Sequence, residues 1–305
     1  MQQIIDRTVQ NIGGVLLGKE RQIRLALCAL FARGHLLIED LPGMGKTTLA
    51  HALARALGLS FSRVQFTSDM LPGDILGVSI FEQSSGSFSF HPGPIFTEVL
   101  LADEINRTSP KTQSALLEAM AERQVTVEGE TRPLPHQFFV IATQNPVTQA
   151  GTFPLPESQL DRFLMRIAIG YPDRGSERAM LTGRAGGSVL ETLAPSLSRE
   201  DLAAIQSSAA EVKTADMLLD YVQRLTEYTR TAPEFVHGLS PRGAIALVAA
   251  ARVWAYMEGR GHVVPEDVQS VLPAVAAHRL RGAADFAGDG LALVERLLAR
   301  VDVFG

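Results

Sequence analysis

The run LPGMGKTT at positions 41–48 constrains this chain more than any other feature. Leu36, Leu37 and Ile38 before it read as a buried strand, and Leu49, Ala50, Leu53, Ala54 and Leu57 after it recur at helical spacing. The glycines therefore fall in a strand-to-helix turn, the setting that a phosphate-binding loop requires. In that reading Pro42 shapes the turn, Gly43, Met44 and Gly45 bring backbone N–H groups to a triphosphate, and Lys46 reaches its β and γ oxygens. The Thr47 hydroxyl is placed to ligate a magnesium ion, and Thr48 completes the loop. One position departs from the strict GxxxxGK[ST] pattern, because Asp40 replaces the first glycine. Pro42 and Gly43 still supply turn chemistry, so the loop is read as a variant. The competing reading is a glycine-rich turn carrying a solvated lysine.

At 305 residues the chain exceeds the length at which a single core usually keeps growing, and two domains are expected. Its 28 basic and 33 acidic side chains give a net charge of −5, which disfavours generic duplex binding through broad phosphate contacts. The single cysteine, Cys28, lies in an apolar helix-like run and reads as a buried small residue. The N-terminus MQQIIDRTVQ lacks the apolar stretch of a secretory signal, and apolar runs elsewhere are too short to span a bilayer. A cytoplasmic protein is the expectation.

Helical periodicity over 2–12 and 20–33 precedes the first strand, and a second strand is expected at 61–66. The segment VSIFEQSSGSFSF, 78–90, reads as an inserted β-hairpin. Val99 to Ala102 is an apolar run of the kind found in strands buried on both faces, and it ends in Asp103-Glu104. Ser109-Pro110 signals a helix start, with a buried stripe at Ala115, Leu116, Ala119 and Met120. A second hairpin is expected over 124–135 with its turn at Gly129-Glu130, then a fourth strand at 138–142 and a fifth at 164–169. Past Tyr171-Pro172 the strand signals stop, and six helix-like stretches follow, near 173–183, 199–209, 215–231, 241–257, 265–280 and 289–301. The expected organisation is an α/β core, 1–170, with a parallel five-stranded sheet in three αβα layers, followed by a smaller all-helical domain, 171–305.

Phosphoryl transfer to water needs charge neutralisation, a positioned water and stabilisation of a loose transition state. Asp103, at the C-terminal end of a buried strand, can hold magnesium, and Glu104 can act as the general base. Asn145 ends the next strand before Pro146; its amide can bond the γ-phosphate or the water, the alternative being an Asx-turn residue.

LLIEDLPGMGKTTLA, LLADEINRTSPKTQSALLEAMAERQVTVEG, VIATQNPVTQAGTFPLPESQLDRFLMR and LSPRGAIAL, in that order, resemble the MoxR family of AAA+ ATPases, over nearly the whole chain. The resemblance implies a P-loop AAA+ core with a helical lid and an ATPase that uses ATP and Mg2+. It makes Asn145 the sensor 1 residue, Arg162 the arginine finger and Arg242 the sensor 2 residue, acting in cis or in trans. Taken singly, Arg162 and Arg242 would be surface ion-pair arginines. Arg166, four residues beyond Arg162 on the same helical face, is a rival finger, and Arg107 reads as an interface or helix-start residue.

The family belongs to a clade with an insert in the second helix and a hairpin before sensor 1, matching 78–90 and 124–135, both of which tend to face the pore of a ring. Phe88 and Phe90 then contact a substrate or, equally, pack onto their own domain. A finger supplied in trans implies a head-to-tail homo-oligomeric ring, by resemblance a hexamer. The leading functional expectation is a remodelling chaperone acting on a protein client with a von Willebrand factor A domain partner, in maturation or cofactor or metal insertion. The alternatives are a nucleic-acid motor related to minichromosome-maintenance helicases, a non-hydrolysing nucleotide switch and a chelatase-like motor subunit. The hairpin tips, Ser84-Ser85-Gly86-Ser87 and Glu128-Gly129-Glu130, lack the basic residues a nucleic-acid motor would want.

Overall fold

The computed structural model describes residues 1–84, 86–145, 151–182, 187–283 and 290–303. In chain order the elements are α1 (Gln2–Val15), α2 (Glu20–Phe31), β1 (Leu36–Glu39), α3 (Lys46–Ala56), β2 (Phe61–Gln65), α4 (Pro72–Leu76), β3 (Gly77–Glu82), β4 (Ser87–Pro92) and β5 (Val99–Asp103). A 3-10 turn at Ile105–Arg107 leads into α5 (Pro110–Glu122), β6 (Gln124–Val127), β7 (Glu130–Pro133), β8 (Phe139–Gln144), α6 (Glu157–Leu160) and β9 (Met165–Ile167). The remainder comprises α7 (Arg174–Leu181), α8 (Gly187–Thr192), α9 (Arg199–Ala210), α10 (Asp216–Thr231), β10 (Phe235–His237), α11 (Pro241–Met257), α12 (Pro265–Ala276), β11 (Arg281–Gly282) and α13 (Gly290–Arg300).

The five-stranded sheet is wholly parallel, in the order β2-β5-β8-β1-β9. Because successive strand residues face opposite sides, its apolar runs divide between two clusters. Leu36, Ile38, Val99, Leu101, Phe139 and Ile141 pack with α1 to α3, while Leu37, Leu100, Ala102, Val140 and Ala142 pack with α5. The first cluster continues without a break into Leu202, Leu225, Leu247, Leu272 and Leu297 of the later helices, so packing runs across position 170. β5 and β8 are buried along their whole length, the environment that a continuous apolar run anticipates.

Both expected hairpins form, as β3–β4 and β6–β7. The second turns one residue earlier than expected, at Glu128 and Gly129, whose φ angles of 53° and 82° match the two left-handed positions of a tight hairpin turn. Ser109 caps α5 by accepting from the Thr112 N–H at 3.4 Å. The six later helices are present, the fifth ending at Ala276 rather than 280. Several short elements have no counterpart among the expected ones: the helices α4, α6 and α8, and an antiparallel β10–β11 ribbon interposed among the lid helices. Among the described residues no helix is long and apolar enough to cross a membrane. Ser85 and Pro146 lie outside the described residues.

Candidate nucleotide site and its family

Parallel strands direct their C-terminal ends at one edge of the sheet, and the candidate residues collect there. Gly43 and Gly45 adopt φ of 84° and 89°, a conformation that leaves the loop to glycine, and Gly45 caps α3. Lys46 opens α3, is buried, and donates to Asn145 Oδ1 at 3.0 Å and to the Asp40 carbonyl. Burial lowers its ammonium pKa from the ordinary value, while Asp40, Asp103, Glu104 and Glu39 pull in the opposite direction. Thr47 and Thr48 follow in the first turn of α3.

Asn145 joins the two halves of the site. Its Nδ2 donates to Glu104 Oε1 at 2.9 Å while its Oδ1 receives Lys46, so one amide touches both the cation and the candidate base. Glu104 sits in the left-handed region, φ 58°, and its N–H donates to Thr143 Oγ1 at 2.9 Å. The same hydroxyl donates to Asp103 Oδ1 at 2.6 Å, and Arg63 binds the other oxygen of Asp103 at 2.7 Å. Gln65 Nε2 donates to Glu104 Oε2 at 3.0 Å, and Arg107 pairs with that oxygen at 3.1 Å. Thr143, Arg63 and Gln65 were not singled out from sequence. The alternation Arg63, Val64, Gln65 on β2 was the available signal, since residues two apart share a face and Gln65 lies in register with Asp103.

Asp40 is no passive substitute for glycine. Its carboxylate accepts from the Leu41, Ile169 and Gly170 N–H groups at 2.8, 2.8 and 2.7 Å. Beside the loop lies a cavity of about 250 Å³, lined by Val15, Leu16, Gly43, Met44, Ile169 and Pro172 among others. Its apolar walls and its place next to Gly45 suit the base of a nucleotide.

The arginines are elsewhere. Leu164 N donates to His35 O, so Arg162 lies at the start of the sheet, opposite the phosphate loop and separated from it by at least the four residues of β1, about 13 Å. Arg162 Nη1 donates to Leu117 O at 2.9 Å. Arg242, in the first turn of α11, approaches Asp161 at 3.8 Å. Asp161 is in turn held by Arg279, whose side chain is 3% exposed and also donates to the carbonyls of Phe163 and Leu164. Arg166 is not on a helix with Arg162, because it lies in β9, where it pairs with Glu39 at 2.8 Å. That placement corrects the shared-helical-face expectation. Phe88 and Phe90 also separate: Phe90 packs on Phe96 under the Arg132 guanidinium, whereas Phe88 is 70% exposed beside Phe81.

The model of the ATPase family associated with various cellular activities (AAA) matches residues 35–165, and that of the AAA lid domain matches 227–297. Chaperone MoxR1 of Mycobacterium tuberculosis is 40% identical, with 90% of this chain and 75% of that protein covered. The chain belongs to the MoxR family of AAA+ ATPases. The protein YeaC of Bacillus subtilis (strain 168) is 45% identical over 98% of this chain and 95% of its own length. A crystal structure of a protein from Cytophaga hutchinsonii superposes with a TM-score of 0.89 at 34% identity, covering 99% of this chain and 95% of that one. The α/β AAA+ core with its helical lid is therefore the family's architecture.

Proposed function

We propose that this MoxR-family chain hydrolyses ATP with Mg2+ in a head-to-tail ring, by resemblance a hexamer, and uses the cycle to remodel a protein client as a chaperone. The observation that carries this reading is the continuous network Lys46–Asn145–Glu104 beside Asp103 at one end of the sheet, with Arg162 and Arg242 at the other. Each protomer holds half of a hydrolytic site at each end, and a neighbour's arginines complete it in trans. The oxygen donors Asp103 and Thr47 suit Mg2+, which would supply charge neutralisation on the phosphate oxygens. Glu104 accepts the proton of the attacking water, while Asn145 orients Glu104 and Lys46 neutralises phosphate charge.

In this reading residues 1–170 form the nucleotide-binding domain and 171–305 the lid. The β3–β4 hairpin, with Val78, Ile80, Phe81 and Phe88 exposed, is the client-contacting element. A von Willebrand factor A domain protein is the proposed partner, and cofactor or metal insertion the proposed class of outcome. The acidic tip at Glu128 and Glu130, where Glu130 engages Arg132, supports a protein client over nucleic acid.

The test is specific ATPase activity against protein concentration. Glu104→Gln is expected to bind ATP and lose turnover by about 10²- to 10⁴-fold, and Arg162→Ala to lose turnover with nucleotide binding kept. Equal specific activity in demonstrably monomeric and assembled wild-type samples would refute the shared site.

A further inference from the structure

Asp40 is gripped from both sides. Its backbone carbonyl accepts from the Lys46 ammonium, and its carboxylate reaches across to the turn that leaves β9. There one oxygen, Oδ2, takes two successive amides, Ile169 N–H and Gly170 N–H, at 2.8 and 2.7 Å. The other oxygen takes the Leu41 N–H at 2.8 Å, which fixes the carboxylate plane relative to the loop. Ile169 and Gly170 are themselves walls of the cavity of about 250 Å³ proposed for the base. The rest of that turn is tied to the start of α2: Gln22 Nε2 donates to Ile169 O at 3.4 Å and Lys19 Nζ to Tyr171 O at 2.7 Å. A glycine at 40 would keep the phosphate loop and leave both amides without this acceptor.

We infer that Asp40 is a positioning residue that sets the base-pocket wall at a fixed distance from the phosphate loop, so that base and triphosphate are recognised as one unit. The inference rests on the nucleotide reading of the site. A carboxylate suits the task because charge-assisted bonds to N–H groups are short and strong. Because two adjacent amides share one oxygen, the turn is fixed in orientation as well as in distance. In the proposed division of the chain the lid begins at residue 171, directly after this turn, and the same contact would then set where the lid leaves the core.

The experiment compares equilibrium binding of ATP and of inorganic tripolyphosphate, each with Mg2+, to the full-length wild type and to Asp40→Gly, Asp40→Ala and Asp40→Asn. Tripolyphosphate carries the phosphates without the base. For Asp40→Gly and Asp40→Ala the expected result is ATP affinity reduced by about tenfold or more, with tripolyphosphate affinity changed by less than about twofold. Asp40→Asn, whose amide oxygen still accepts from Ile169 and Gly170, is expected to recover most of the loss, and it keeps the test open should the smaller variants fail to fold. Equal weakening of ATP and tripolyphosphate, unchanged ATP affinity, or an Asp40→Asn defect equal to that of Asp40→Ala would overturn the inference. Wild-type protein that binds neither ligand would overturn the nucleotide reading and this inference with it, whereas wild-type binding with uniform losses would overturn this inference alone.

Discussion

Replacing Thr143 by Val tests the centre of the site with almost no change of shape. Thr143 is fully buried in β8, and its hydroxyl donates to Asp103 Oδ1 at 2.6 Å while accepting from the Glu104 N–H at 2.9 Å. Valine removes both bonds and keeps the packing. A bond to a charged group contributes about 1.5–3 kcal/mol, and a buried N–H left without a partner costs about 1–3 kcal/mol. Since the two losses share one atom and the Glu104 N–H is only partly buried, their combined effect is set at about 2–4 kcal/mol rather than the full sum. Urea unfolding of the full chain should show it as a lower midpoint at unchanged slope. Turnover should fall as well, because the left-handed backbone of Glu104 loses its tether, and a displacement of about 1 Å costs on the order of 10²-fold. Thr143→Ser keeps the hydroxyl and should lose only about 1 kcal/mol for the missing methyl. A Thr143→Val protein within about 1 kcal/mol of wild type and within a few-fold of its activity would refute the bridging role, as would a serine variant equally impaired.

His35 gives a pH dependence. Its Nδ1 accepts from Val140 N–H at 3.0 Å and its Nε2 faces Met120 O at 3.2 Å, and burial lowers its pKa from 6.5 to about 4. The unfolded ring takes up a proton below 6.5 while the folded ring stays neutral to about 4, so stability falls as pH drops through that window, by about 3 kcal/mol once complete. His35→Gln should flatten this part of the stability curve in denaturation measured from pH 7 to pH 4. Arg279→Met should destabilise by about 1–3 kcal/mol, because it strips the buried guanidinium from Asp161, which is 20% exposed and keeps Ser240 and Arg242. Arg279→Lys should recover at most half in the same urea assay, a point charge being unable to serve Asp161, Phe163 and Leu164 together.

What was legible in the sequence is what depends on neighbours along the chain. An apolar run closed by Asp103-Glu104, another closed by Asn145, and a Gly-rich turn before an amphipathic stretch each report a local element and its end. The partnerships across the sheet were not legible, because they depend on strand order. Arg63 and Gln65 reach Asp103 and Glu104 only because β2 lies beside β5, and no periodicity encodes that adjacency. Arg166 shows the same limit. An i, i+4 spacing from Arg162 suggests a shared helical face, but β9 intervenes and turns Arg166 toward Glu39 on β1. The β10–β11 ribbon, of three and two residues drawn from distant parts of the chain, is too short to leave a pattern.

The kinds of partner chosen within the site have a physical logic. A direct ion pair between Lys46 and Glu104 would hold each group by the other, and breaking it for a ligand would cost several kcal/mol if buried, about 3–5 by the usual range. Asn145 instead separates them, accepting from the lysine and donating to the glutamate. Both charges are held in place by a neutral amide and stay available to phosphate and water. Thr143 does the same for Asp103, fixing it without neutralising it. The full charges that do touch these carboxylates, Arg63 on Asp103 and Arg107 on Glu104, have side chains 48% and 49% exposed. The Arg107–Glu104 pair, partly exposed on both sides, contributes only about 0–1 kcal/mol and is withdrawn at little cost when a ligand competes, whereas Arg63 grips a buried Asp103 and is released at a larger cost. Inside, the catalytic candidates are therefore oriented by neutral groups that stay. Outside, Glu104 is screened by a cation that can leave.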